Sequence, residues 1–223
     1  MHNVRISELF DTNKTIAKDV FEGLDFPWEV LPKIHDYIID LGNALPEDKF
    51  HKQGENVWIA NNAKIYPNVY IGGPCIIDEE AEIRPSAFIR GDAIVGKKTV
   101  VGNSTELKNV ILFDEVQVPH FNYVGDSILG YKSHLAAGVI IGNLKGDKSL
   151  VQIKEGEEKI DTNIKKVGAF VGDNVEIGCN SVLSPGTVLG KNARVYPLSL
   201  IRGVVKENSL YKDKDNVIDL LMK

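Results

Sequence analysis

The chain has 223 residues, of which 43% are hydrophobic and 26% are charged, and its formal net charge is −5. This composition is ordinary for a globular protein in water, and the acidic balance argues against a nucleic-acid-binding protein, which usually presents a basic face. No apolar stretch reaches the roughly 18 residues that a membrane span needs, and the start lacks the basic-then-apolar pattern of a signal peptide. Cys75 and Cys179 are the only cysteines. We therefore expect a reduced, cytoplasmic protein with neither a disulfide framework nor a thiolate metal site.

Residues 1–56 contain a helical pattern. Apolar residues recur there at steps of three to four positions, at Trp28, Leu31, Ile34, Ile38, Leu41 and Leu45. This spacing predicts an amphipathic helix that begins after Pro27 and ends near Gly42, and a shorter helix is expected over residues 15–21. We expect residues 1–56 to form a helical cap over the open edge of the domain that follows, with a partner-binding arm as the alternative.

An aliphatic residue then returns every six positions. The series is Ile59, Ile65, Ile71, Ile77, Ile83, Ile89, Val95, Val101 and Leu107, then, one residue early, Leu112, Val118 and Val124, then, early once more, Leu129, Leu135 and Ile141, and after a break Val171, Ile177, Leu183, Leu189, Val195 and Ile201. Glycine often follows the aliphatic residue, and the fourth residue after it is usually small, as at Cys75, Ala81 and Thr99.

This period predicts a parallel β-helix over residues 57–206. Three six-residue units form one triangular coil, and the aliphatic side chains of stacked coils bury one another along the axis. The small residue fits at a corner of the coil, and glycine is expected to supply the unusual backbone of the turn. A β-sandwich has strands of period two and gives no reason for a six-residue phase.

Two segments depart from the repeat. Residues 143–166 are charged and loop-like, and a long loop in a compact domain is either a functional element or a solvated insertion. Near the end of the chain, Val217, Leu220 and Leu221 share one face of a short helix predicted over residues 215–222, so residues 207–223 are expected to be a helical tail.

Polar residues that can carry chemistry concentrate between Gly102 and Gly146. His120 lies two positions after the interior Val118, so it should face outward. Tyr123 follows three residues later, and Glu106 lies 14 residues before His120. That spacing places Glu106 roughly one coil beneath His120, where a carboxylate would orient the imidazole as a general base.

These residues resemble a known family. The hexapeptide spacing is similar to that of the left-handed β-helix, or hexapeptide-repeat, acyltransferases. Within it, His120-Phe-Asn-Tyr123-Val-Gly125-Asp126, Glu106-Leu-Lys108, Arg90 and Asn143 resemble the acetyltransferase domain of the bifunctional N-acetylglucosamine-1-phosphate uridyltransferase/glucosamine-1-phosphate acetyltransferases. The likeness covers roughly residues 59–205, and the nucleotidyltransferase half of that family has no counterpart here.

The resemblance implies left-handed winding, a cytoplasmic homotrimer and an acetyl-CoA-dependent N-acetyltransferase of amino-sugar phosphates, working in nucleotide-sugar biosynthesis. His120 would be the general base and Glu106 would polarise it. The sugar phosphate would be bound by Arg90, Lys108, Tyr123, Asn143 and a loop lysine, Lys145 or Lys148. Acetyl-CoA would lie in a groove between β-helices, along Gly178 and Cys179.

Two departures from the family leave alternatives open. His134 stands where the family has a sugar-contacting asparagine, and Leu144 stands where it has an aromatic residue. The alternatives are a non-catalytic or regulatory trimer and an acyltransferase of a nucleotide-linked amino sugar. A β-helical carbonic anhydrase shares the Arg-Gly-Asp turn at Arg90, but it needs three histidines for zinc, and the repeat region has only His120 and His134. No metal is therefore expected.

Overall fold

The computed structural model describes residues 3–220, and most of them form a parallel β-helix with three faces. Each coil contributes one short strand to each face, and each strand pairs in parallel with the strands of the coils below and above. The β-helix predicted from the repeats is confirmed. Its left-handed winding stays a prediction from the family resemblance.

The three faces are defined by their strands. The first face contains Val57–Ala60, Cys75–Ile77, Ala93–Val95, the second halves of Glu106–Leu112 and Tyr123–Leu129, Ala169–Val171, Thr187–Leu189 and Val204–Val205. The second face contains Lys64–Ile65, Glu82–Ile83, Val100–Asn103, Gln117–His120, His134–Leu135, Glu176–Ile177, Arg194–Val195 and Ser209–Asp213. The third face contains Tyr70–Ile71, Phe88–Ile89, the first halves of Glu106–Leu112 and Tyr123–Leu129, Ile140–Ile141, Val182–Leu183 and Leu200–Ile201.

The strand register confirms both slips in the repeat. Val57 pairs with Cys75 and Cys75 with Ala93, so these coils are eighteen residues long. Ala93 then pairs with Val110, and Val110 with Ser127, so the next two coils are one residue shorter. The shortened coils therefore lie in the middle of the β-helix, where the polar residues are concentrated.

The glycines that directly follow the inward aliphatic residues do not supply the turns. The left-handed backbone falls mostly on non-glycine residues, including Asp92, Asn109 and Asp126, and also on Gly186 and Gly203. Gly102 instead lies where the next coil approaches closely, and a Cβ built on it would be 1.6 Å from the carbonyl oxygen of Pro119. Glycine is needed there because the stacked coil leaves no room for a side chain, which corrects the sequence expectation.

The helical part of the N-terminal segment covers the first face rather than the end of the first coil. It contains the helices Ile6–Leu9 and Ile34–Ala44 and the short 3-10 turns Thr12–Lys14, Lys18–Phe21, Pro27–Glu29 and Leu31–Lys33. The helix Ile34–Ala44 agrees with the predicted one, but the preceding residues form 3-10 turns. The edge of the first coil is instead paired with an antiparallel strand, Phe50–Lys52.

Apolar side chains explain this placement. The outward-facing residues of the first face include Ile76, Ile94 and Phe170, and all three are fully buried beneath the N-terminal segment. The ring of Trp28 lies 6.0 Å from that of Phe170. Burying such side chains stabilises the fold by about 1.5–3 kcal/mol each, so the segment packs along the apolar face instead of over the coil edge.

The insertion is partly ordered as a hairpin. Strands Gln152–Glu155 and Glu158–Asp161 pair antiparallel, and Val151 and Ile153 are buried against the later coils. The insertion therefore packs onto the β-helix, which a solvated loop would not do.

The predicted C-terminal helix is wrong. Ser209–Asp213 extends the second face, and Asn216–Asp219 pairs with it antiparallel. The β-branched Val217 and Ile218 favour a strand, and Tyr211 is buried, with its hydroxyl donating to the carbonyl of Leu200 at 2.9 Å. Of the residues placed in that helix, Leu221 and Met222 lie outside the described residues.

None of the helices within residues 3–220 has the length and apolar character that crossing a bilayer requires.

The Gly102→Ala substitution tests the close stacking of coils. We expect it to lower the free energy of unfolding by about 3 kcal/mol or more, since the new Cβ forces neighbouring backbones apart. Gly146→Ala is the matched control, because a Cβ there meets nothing within 4 Å. Urea denaturation measures both, and equal stability of the two variants would contradict the close stacking.

A buried carboxyl group makes stability depend on pH. Burial raises the pKa of Asp78 from its usual 3.8 to about 6. The native state therefore binds this proton more tightly than the unfolded chain, and the corresponding stability is lost as the pH rises from about 4 to above 6.

We expect Asp78→Asn to remove this loss, so that the variant gains up to about 3 kcal/mol over the wild type at pH 7.5 and much less at pH 4. Urea denaturation at both pH values measures the difference. Glu80→Gln, at an exposed neighbouring carboxylate, is the control. A stability difference between Asp78→Asn and wild type that does not change with pH would show that Asp78 is not the titrating group.

Candidate functional site

Four of the predicted substrate-binding residues lie together in the middle of the third face. Arg90 and Lys108 each follow an inward-facing residue of neighbouring coils, and Lys108 pairs in register with Gly125 of the next coil. Glu106 lies in register between Phe88 below and Tyr123 above. We call Arg90, Glu106, Lys108, Tyr123, Asp126 and Asn143 the third-face cluster.

An ion pair forms the lower part of the cluster. Arg90 Nη1 donates to Glu106 Oε1 at 2.9 Å, and both side chains are partly exposed. The hydrogen bond to Glu106 raises the pKa of Arg90 above its ordinary value. Since a guanidinium has five N–H donors, Arg90 keeps donors that can bind an anion from solution.

Asp126 is the hub of the upper part. Its Oδ1 accepts from Lys108 Nζ at 2.8 Å and from Asn109 Nδ2 at 2.9 Å, and its Oδ2 accepts from Asn143 Nδ2 at 2.5 Å. The Asp126 side chain is only 2% exposed, so its charge is balanced by these donors. The sequence motif contains Asp126, but its role was not predicted.

Tyr123 completes the cluster through a close backbone approach. Its hydroxyl accepts from Asn143 Nδ2 at 3.2 Å, and a Cβ on Gly125 would lie 2.6 Å from the same hydroxyl oxygen. Gly125 is therefore required to let the tyrosine side chain lie across the coil and reach Asn143.

His120 lies around the corner from this cluster, at the end of the strand Gln117–His120. It pairs in register with Asn103 of the coil below, whereas Glu106 lies beneath Tyr123. The predicted hydrogen bond between Glu106 and His120 is therefore not formed, and Glu106 binds Arg90 instead. Within residues 3–220 the exposed imidazole has no hydrogen-bond partner, which leaves both ring nitrogens accessible.

The predicted acetyl-CoA residues share a column with His120. The backbone of Gly138 donates to the carbonyl of His120, and that of Asn180 to the carbonyl of Ala137, so Cys179 stands two coils above His120. With neighbouring strands about 4.8 Å apart, their backbones are about 10 Å apart. Gly178 lines a cavity of about 370 Å³ together with His134, Glu176 and Tyr196.

Within residues 3–220, the two predicted loop lysines form no hydrogen bond or ion pair with the cluster. Lys145 contacts the Ser149 hydroxyl and lies 3.8 Å from an Asp147 carboxylate oxygen, within the insertion. Lys148 is exposed, and its backbone N–H donates to the carbonyl of Lys145. The structure thus brings Arg90, Lys108, Tyr123 and Asn143 together and leaves Lys148 outside.

The two residues that depart from the family pattern differ in their surroundings. His134 Nδ1 lies 2.8 Å from Glu176 Oε2 on the second face, and Leu144 is 43% exposed. Within the part of the chain that the structure describes, no group of three or more His, Cys, Asp or Glu side chains is arranged to hold a metal ion.

Comparisons with known proteins agree with this architecture. The stacked coils make the chain a hexapeptide-repeat β-helix protein. A family model described as the GMPPB C-terminal domain matches residues 71–156. A hexapeptide transferase family protein from Anaplasma phagocytophilum is 18% identical with a TM-score of 0.40, covering 75% of this chain and 81% of that chain.

Two curated relatives are similar over most of this chain. A bifunctional sugar-1-phosphate nucleotidylyltransferase/acetyltransferase from Sulfurisphaera tokodaii is 31% identical over 222 residues, which cover 92% of this chain and 54% of that protein. The bifunctional protein GlmU from Methanococcus maripaludis is 34% identical over 207 residues, covering 90% and 49%. The resemblance predicted from the motifs is confirmed, and the chain spans about half the length of these relatives.

Asp126→Ala tests the hub of the cluster. We expect it to lower the free energy of unfolding by about 3 kcal/mol, because it leaves the amine of Lys108 without its buried partner. Asp147→Ala, at an exposed aspartate, is the control and should change stability by less than about 0.5 kcal/mol. Chemical denaturation measures both free energies of unfolding. An Asp126→Ala variant as stable as the wild type would show that the hub does not stabilise the fold.

Proposed function

We propose that the chain is an acyltransferase that moves an acetyl group from acetyl-CoA to the amine of an amino-sugar phosphate. The observation that carries this proposal is the third-face cluster, in which two cations, a tyrosine and an asparagine lie around the corner from an exposed, unpartnered histidine. The relative from Sulfurisphaera tokodaii supports it, since its name combines sugar-1-phosphate nucleotidylyl transfer with acetyl transfer.

The phosphate binds between Arg90 and Lys108. Each cation is engaged by one carboxylate, Glu106 or Asp126, yet a guanidinium has five donors and an ammonium three. The free donors can therefore form charge-assisted hydrogen bonds with phosphate oxygens. Tyr123 and Asn143 lie beside Lys108 and offer polar groups to the sugar ring.

His120 acts as the general base. Its imidazole takes the proton from the amine while the amine nitrogen attacks the carbonyl carbon of the acetyl thioester. The tetrahedral intermediate then collapses, the C–S bond breaks, and the imidazolium of His120 returns the proton to the sulfur, so that CoA leaves as the thiol. A positioned base of this kind typically contributes about 10²–10⁴-fold in rate.

Glu106 acts on the substrate side. Because its carboxylate holds Arg90, it fixes the guanidinium toward the phosphate rather than polarising the imidazole. Acetyl-CoA lies along the column of His120 and Cys179, beside the cavity at Gly178.

A homotrimer fits the outward residues of the third face. Apolar side chains are exposed on both sides of the polar cluster, namely Tyr70, Phe88, Ile140, Val182 and Leu200, which are 38–59% exposed. A row of exposed apolar residues marks an interaction surface. We infer that three copies pack through this face, with the substrate cleft between neighbouring protomers.

Acetyl transfer from acetyl-CoA to glucosamine-1-phosphate tests the function, with CoA release as the readout. We expect His120→Ala to lower kcat by at least about 10²-fold, since the base is lost. Glu106→Gln should chiefly raise KM, because Arg90 loses its anchor. His51→Ala, at an exposed histidine bonded to Asn61 outside the cluster, should retain wild-type rates.

Two results would contradict the proposal. If the wild type releases CoA and the His120→Ala variant releases it at the same rate, His120 is not the general base. Absence of release with both sugar phosphates and nucleotide-linked amino sugars would favour a non-catalytic β-helix protein.

A further inference from the structure

A second cavity lies above the third-face cluster, between the insertion and the later coils. Its volume is about 460 Å³, and Lys145, Lys154 and Arg202 line it together with Asp147, Ser184 and Gly186. This size is within the range of small-molecule sites. We call it the upper cavity. The proposed function gives it no role, and Lys145 is its one lining residue that the family resemblance named.

The chain builds this cavity by docking the hairpin closely. Gly186 and Gly203 both have left-handed backbone conformations. A Cβ on Gly203 would be 2.7 Å from the carbonyl oxygen of Lys154, and one on Gly186 would be 2.8 Å from a methyl group of Val151. The two glycines therefore let the hairpin lie against the last coils, which fixes Lys154 beside Arg202.

The charge of the upper cavity is positive, although the whole chain is acidic. Three cations and one carboxylate line it, and the carboxylate of Asp147 is engaged by the backbone and hydroxyl of Ser149. Lys154 and Arg202 form no ion pair with any carboxylate in residues 3–220. Unpaired cations that converge on a concave surface favour an anionic ligand, above all phosphate, which arginine binds with two parallel hydrogen bonds.

The upper cavity continues the column of the third-face cluster. Lys108, Gly125 and Gly142 stand one above the other, and the backbone of Gly142 donates to the carbonyl of Leu183, next to Ser184. The column from Lys108 to Arg202 spans four coil steps, or about 19 Å between backbones. Lysine and arginine side chains extending from each end shorten this gap considerably.

We propose that the upper cavity binds a phosphate group that is not the one attached to the sugar at Arg90 and Lys108. Two sources carry this chemistry: a further phosphate of a nucleoside-diphosphate-linked amino sugar, and a free inorganic phosphate or pyrophosphate. The first source deepens the proposed function and rests on it, because the acceptor would then extend from the cluster into the upper cavity.

Isothermal titration calorimetry on the full chain tests this proposal directly. The ligands are pyrophosphate, glucosamine-1-phosphate and uridine-diphosphate-linked glucosamine, and the variants are Lys154→Gln, Arg202→Gln and Arg202→Lys. The control is Lys98→Gln, which removes a half-exposed cation on another part of the β-helix. All the altered side chains are exposed, and circular dichroism verifies that each variant is folded.

We expect pyrophosphate to bind the wild type and to lose about tenfold in affinity in Lys154→Gln and in Arg202→Gln, as for the loss of one charge-assisted hydrogen bond. Arg202→Lys should restore part of the affinity, and Lys98→Gln should have no effect. Glucosamine-1-phosphate should bind all variants equally, since it occupies the cluster.

The nucleotide-linked sugar distinguishes the sources. If Arg202→Gln lowers the affinity for the nucleotide-linked sugar tenfold, the upper cavity is part of the acceptor site. If it lowers the affinity for pyrophosphate alone, the upper cavity is an inorganic anion site. Pyrophosphate that fails to bind the wild type, or binds both glutamine variants within twofold of it, overturns the proposal. Arg202-dependent binding of pyrophosphate without any acetyl transfer would contradict the proposed function and leave the anion site intact.

Discussion

Backbone pairing between successive coils determines which side chains meet on the surface of this protein. In a β-ladder a slip of one residue turns every side chain to the opposite side. The pairs Glu106 with Tyr123 and Lys108 with Gly125 exist because the central coils are one residue shorter than their neighbours. That shortening sets Glu106 beneath Tyr123 and Lys108 beneath Gly125, whereas Arg90 lies below Lys108 by a regular step of eighteen residues.

The three faces then differ because their outward residues differ. The first face is apolar, so the N-terminal segment covers it, and Asp173 fastens this segment by accepting from the backbone of Asp11 at 2.8 Å. The second face is mostly polar and carries the pair His134 and Glu176. The third face combines exposed apolar residues with the charged cluster, which suits a surface that both binds a polar ligand and contacts another protomer. One repetitive core thus supports one covered face and two accessible ones.

Periodicity made the β-helix predictable, because inward aliphatic residues recur in the sequence at a fixed step. The family motif likewise predicted that Arg90, Lys108, Tyr123 and Asn143 lie at one site. Three features were not predicted because they depend on contacts between distant segments. The N-terminal segment packs on the first face because that face is apolar, and the strand from Ser209 pairs with Arg194–Val195 instead of forming a helix. Asp126 accepts hydrogen bonds from three donors. The spacing of the glycines can be read from the sequence. Whether a glycine forms a turn or makes room for a neighbouring backbone depends on the coil stacked on it.

The most direct test of the arrangement is a crystal structure of the protein with glucosamine-1-phosphate and CoA. The stacked register predicts the phosphate between Arg90 and Lys108, the amine within hydrogen-bond distance of the His120 imidazole, and the thiol of CoA on the column of His120 and Cys179. A sugar phosphate bound away from Arg90 and Lys108, or an amine that cannot reach His120, would contradict the idea that coil register assembles a transferase site.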